Sequence, residues 1–123
     1  MNLIKAKLFK EDDSAKFYAM LSELQNANII QSSWHYFDEM IPKDIYDKYF
    51  AGANYKIVAE YILPEYDYNY ETSVFVVKIF NHFLGVRTID NIYEENCDFK
   101  DLGYKIEFFE MEEYLKPSYR KKQ

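Results

Sequence analysis

The sequence predicts an α+β domain, an antiparallel sheet with helices on one face, and three observations carry that prediction. Tyr55, Ile57, Ala59, Tyr61 and Leu63 recur at every second position, the period of a half-buried strand. Phe17, Leu21, Leu24 and Asn28 recur at helical spacing, with Met20 broadening the stripe. The 123 residues are 49% hydrophobic with only three Gly and three Pro, which fits one folded core and leaves no room for a second.

Taken in order, residues 2 to 9 place Ile4, Ala6 and Leu8 on one face and Lys5 and Lys7 on the other, the pattern of a first strand. Asp12, Asp13 and Ser14 offer capping oxygens for a helix over 14–27. Ile29 to Phe37, with Trp34, reads as a second strand ending at Asp38 and Glu39. Pro42 suits the first position of a short helix over 42–51, with Ile41, Ile45 and Tyr49 along one side and Gly52 placed for its C-terminal cap. The strand over 54–63 follows, stopped by Pro64.

Residues 71 to 85 pull two ways. Val74, Val76 and Val77 favour a strand, whereas Glu71, Lys78, Asn81 and His82 share one helical face opposite Val76, Phe80 and Phe83; length and Gly85 decide for a helix. Val86 to Tyr93 and Tyr104 to Met111 then close the sheet, the latter with Tyr104, Ile106 and Phe108 inward. Two helices over one sheet in this order predict a ferredoxin-like, split βαβ arrangement with an inserted short helix and an extra strand. Residues 1–116 form the single domain, and 117–123 are read as a basic flexible C-terminal tail.

Charge narrows the function. The chain carries a net charge of −6, and residues 60 to 113 hold thirteen acids against four basic groups, while residues 114 to 123 hold four basic groups and no acid. Such a field repels phosphate backbones and anionic lipid and attracts a basic surface, so neither direct nucleic-acid binding nor membrane binding is expected. No stretch has the roughly 20 apolar residues of a membrane span, and residues 1 to 15 do not read as a secretory leader, so the expected compartment is the cytoplasm.

The chemistry-bearing residues are sparse. Cys97 is the only cysteine, and its acidic neighbours disfavour a reactive thiolate. His35 and His82 lack the spacing of a metal clamp, and Gly52, Gly85 and Gly103 are too isolated to cradle phosphate. No serine sits in a strand-turn-helix nucleophile motif. A non-enzymatic protein without cofactor, metal or catalytic residues is the expectation, and His35 with Asp38 or Glu39 is the one acid/base pairing an enzyme would use.

One segment stands apart. In Glu65-Tyr66-Asp67-Tyr68-Asn69-Tyr70-Glu71, an extended backbone puts the three tyrosines on one face and Asp67, Asn69 and Glu71 on the other. Tyrosine supplies large contact area at low entropic cost, and interleaved carboxylates suit a Lys- or Arg-rich partner. With Glu94, Glu95 and Asp98, the segment predicts a surface that occupies a basic site on a partner protein, such as the nucleic-acid channel of a nuclease or defence complex. In composition the chain resembles immunity proteins, phage inhibitors of host defence and duplex-DNA mimics. The alternative is a domain that sequesters a small molecule or nucleotide signal, with Trp34, Tyr36 and Phe37 stacking on a base and Arg87, Lys78 or the tail cations meeting phosphate. The aromatic surplus, 20% of the chain, further predicts a homodimer.

Overall fold

A computed structural model of the chain describes residues 3–32, 37–66, 70–92, 102–113 and 119–122. Neither Gly nor Pro interrupts the chain before Gly52 except Pro42, and the first 24 of these residues form one helix, α1 (Leu3–Asn26). Of the strand expected over 2–9, residues 3–9 are therefore the first two turns of α1. A period-2 pattern only eight residues long, built of Leu, Lys and Ala, is equally good helix-forming material once the following turns are helical. Phe17, Met20 and Leu24 are buried along one stripe, as their spacing predicts.

Beyond α1, among the described residues of the second strand expected over 29–37, Ile30 makes a single antiparallel bridge to Lys105 and Phe37 already opens a helix. Trp34, His35 and Tyr36 lie outside the described residues. Two short helices, α2 (Phe37–Met40) and α3 (Lys43–Ile45), lead into a π-helical turn over Tyr46–Phe50, and Gly52 takes the left-handed φ of +79° that a side chain would resist. The helix expected over 42–51 is thus present with a widened last turn.

Five strands follow: β1 (Lys56–Tyr66), β2 (Tyr70–Ile79), β3 (His82–Ile92), β4 (Glu107–Glu113) and β5 (Tyr119–Lys121). They form one antiparallel sheet in the order β1-β2-β3-β4-β5, so among the described residues each strand pairs with its neighbour in the chain. This is a meander, without the crossovers of a split βαβ unit, and one long helix packs on it. The fold is α+β, but the ferredoxin-like order is not what the strands adopt.

The helix expected over 71–85 is instead the β2–β3 hairpin. Ile79 pairs with His82 across a two-residue turn whose Phe80 and Asn81 both have positive φ, 52° and 61°, the geometry of a type I′ turn that matches strand twist. Val76 and Val77 are both fully buried, so β2 is covered on both faces. A doubly covered strand reads as a continuous apolar run and shows no alternation.

On one face Val77, Ile79, Leu84, Val86, Ile106 and Phe108 pack with α1 and with Ile41, Ile45, Tyr49 and Phe50. On the other, Val74, Val76 and Met111 meet Tyr61, Phe83, Phe109 and Tyr119.

Two ends of strands also differ from expectation. β1 continues past Pro64 to Tyr66, with irregular pairing between Ile62 and Tyr66; β1 is an edge strand, where a missing N–H is tolerated. A second irregularity between Ile57 and Ala59 leaves Ile57 exposed rather than inward. Within the segment read as a flexible tail, Tyr119–Lys121 pairs with β4 as β5: Tyr119 packs on Phe83 at 4.8 Å between ring centres, and Arg120 bonds Glu112 at 2.8 Å.

Candidate functional site

The ladder register decides which of the sequence-predicted residues meet. Tyr66 pairs with Glu71 where β1 turns into β2, and Tyr70 pairs with Ile92 where β3 ends. The Tyr-rich segment is therefore a hairpin connection, and the chain leaves β3 toward Glu94 from that same end of the sheet. Glu65 and Tyr66 belong to β1, and Tyr70 and Glu71 to β2. Asp67, Tyr68, Glu94, Glu95 and Asp98 lie outside the described residues.

Tyr70 is half-buried, its ring against that of Tyr104 at 5.6 Å and 70°. Burial pushes the Tyr104 phenol up to about 12, against the opposing pull of the nearby Arg87 cation. Arg87 also faces Glu107 at 4.0 Å, directly opposite it across β3–β4. At this end of the sheet Tyr70 and Glu71 are therefore neighbours on β2, with the Tyr70 ring against Tyr104.

A second polar group was not legible in the sequence. The Nδ1 of His82 lies 2.8 Å from Glu110 Oε2, and its Nε2 lies 2.9 Å from the Ser14 Oγ. With the Nδ1 proton donated to Glu110, Nε2 accepts the serine hydroxyl. Serine, histidine and carboxylate in this order also form the relay of acyl-transfer enzymes. Here Ser14 sits inside α1, where backbone N–H groups are committed to the helix. The His82 ring stacks on Phe17 at 4.7 Å, and Glu110 also receives the Tyr18 hydroxyl at 2.8 Å and the Lys122 ammonium at 3.3 Å. The group clasps α1 to β3, β4 and the residue after β5. His82 is thus an inward, sheet-borne residue rather than part of a solvated helical face, and the sequence separation of 68 residues from Ser14 left no local signal.

A third group fixes the π-helical turn to α1. The Tyr49 hydroxyl donates to Glu23, and Lys48 reaches the same carboxylate at 3.0 Å; together these donors hold the Glu23 carboxyl below its ordinary value. Comparison with known families, curated proteins and solved structures finds no match. Among the described residues, no helix is long and apolar enough to cross a membrane.

Proposed function

We propose that the chain is a non-enzymatic binding protein that occupies a basic site on a partner protein through the acidic, Tyr-rich end of its sheet. One observation supports this reading above the others. The register of β1, β2 and β3 gathers the Tyr66–Tyr70 hairpin and the point where the chain departs toward Glu94 at a single end. Spaced carboxylates take the place of phosphates against Lys and Arg, while tyrosines supply contact area and hydroxyls. The partner class that fits is a cytoplasmic protein whose nucleic-acid channel is lined with cations, as in a nuclease or a defence complex.

The test is retention of host proteins on the immobilised chain at low and physiological salt, with elution by duplex DNA. A partner that DNA displaces, and that a Tyr70→Ala/Glu71→Lys variant fails to hold, is the expected result. Retention unaffected by the variant, or the absence of any retained partner at both salt concentrations, would overturn the reading.

A further inference from the structure

The ladder that sets the acidic end of the sheet also sets the opposite one. There Lys56 and Lys78 are directly paired across β1 and β2, both exposed. Neither has an ion-pair partner among the described residues, although the chain carries six more negative than positive charges. Like charges facing each other across antiparallel strands destabilise the pair. The two lysines flank a cavity of about 510 Å³ whose wall also includes Asn54, Tyr55, Phe80 and Asn81.

The nearby carboxylates are engaged with neutral groups. Asp13 accepts the Asn81 amide at 2.8 Å, and Asp38 accepts the Tyr55 hydroxyl at 3.2 Å. Neither acid lines the cavity, and among the described residues that do, the charged ones are the two lysines.

We propose that this cavity binds a phosphorylated small molecule of mononucleotide size, its phosphate bridging Lys56 and Lys78. A phosphate monoester carries close to two negative charges at neutral pH and so offsets both ammoniums at once, which a carboxylate cannot do. The volume lies within the range of roughly 300–1,000 Å³ typical of small-ligand pockets, so the phosphate carries an organic group against Tyr55 and the amides of Asn54 and Asn81. The site lies at the far end of β1 from the proposed protein-binding surface and does not depend on it.

The experiment titrates the isotope-labelled full chain at low ionic strength with adenosine monophosphate, ribose 5-phosphate, adenosine and inorganic phosphate. The readout is the backbone amide shifts of Asn54 to Lys56 and Lys78 to Asn81. Saturable shifts with adenosine monophosphate, weakened about tenfold by Lys56→Gln or Lys78→Gln, are expected. Both variants, without ligand, should melt no lower than the parent, because each removes the repulsion. Equal binding of ribose 5-phosphate assigns the organic group to a sugar, and its failure assigns it to a base. Saturation by adenosine as tight as by the nucleotide, saturation by inorganic phosphate alone as tight as by either ester, unchanged affinity in both variants, or no saturation by either ester would overturn the proposal.

Discussion

Gly85 lies directly opposite Phe109 across β3 and β4, and the Phe109 ring covers the place a Gly85 side chain would fill. A Cβ at Gly85 would come within 2.4 Å of Phe109 Cε2 and 2.9 Å of Met111 Cγ. The glycine is present because the aromatic ring lies across its strand.

Gly85→Ala is accordingly expected to cost about 1–3 kcal/mol through overpacking. Phe109→Leu should recover part of that loss in the double variant, because the two positions share one volume. Urea denaturation of both single variants and the double variant checks this. Strictly additive costs would show that the ring moves aside freely.

Glu110 gives the acid limb of stability. Burial opposes its ionisation, but hydrogen bonds from His82, Tyr18 and Lys122 outweigh it, so its carboxyl lies below the ordinary value of 4.5. A group depressed in the folded state stabilises fully above 4.5 and loses that contribution as pH falls through its lower folded value. Glu110→Gln should therefore lower Tm at neutral pH, and the gap to the parent should shrink on acidification below that point. Calorimetric melts across the acid range decide it. A gap independent of pH would remove Glu110 from this role.

Gln31 is 2% exposed and bonds both backbone groups of Ile89: its Nε2 donates to the carbonyl at 3.2 Å, and its Oε1 accepts the N–H at 2.7 Å. Gln31→Leu keeps the volume but orphans both groups, at about 1–3 kcal/mol for each. Hydrogen exchange at the Ile89 amide should accelerate more than at Val86, whose strand pairing is untouched. Equal protection at both would contradict the assignment.

Self-association is expected along β1, an edge strand that exposes Ile57 at 49% and Ile62 at 61%. Light scattering at micromolar concentration should give a mass above the 14.9 kDa of one chain, returned to that value by Ile62→Lys. A parent protein that is monomeric throughout a dilution series would refute the dimer.

What the sequence disclosed follows the range of the interactions. The stripe Phe17, Met20, Leu24 and the strand from Lys56 were visible because a few neighbouring residues share one environment. The β2–β3 hairpin was hidden for two reasons: β2 is covered on both faces, and its turn places Phe80, not Gly or Asn, at the first positive φ. Glu71, Lys78 and His82 happened to fall at helical spacing. The candidate sites follow the same rule. Tyr66 and Tyr70 are close in the chain and could be singled out together. The opposition of Lys56 to Lys78, or of His82 to Ser14 and Glu110, exists only once the register is set.

The chain-order meander also fixes when each part of the protein becomes stable. Of its strand pairings, the two-residue turn at Phe80 and Asn81 closes the shortest loop and the step from Ile92 to Glu107 the longest, so hairpin β2–β3 can zip early and recruit its neighbours outward. Helix α1 precedes the sheet in the chain, and its partners Leu84, Val86, Ile106 and Phe108 are made well after it. Until then Phe17, Met20 and Leu24 have only the early partners Ile41, Ile45, Tyr49 and Phe50 to cover them, and the core is completed when β3 and β4 arrive.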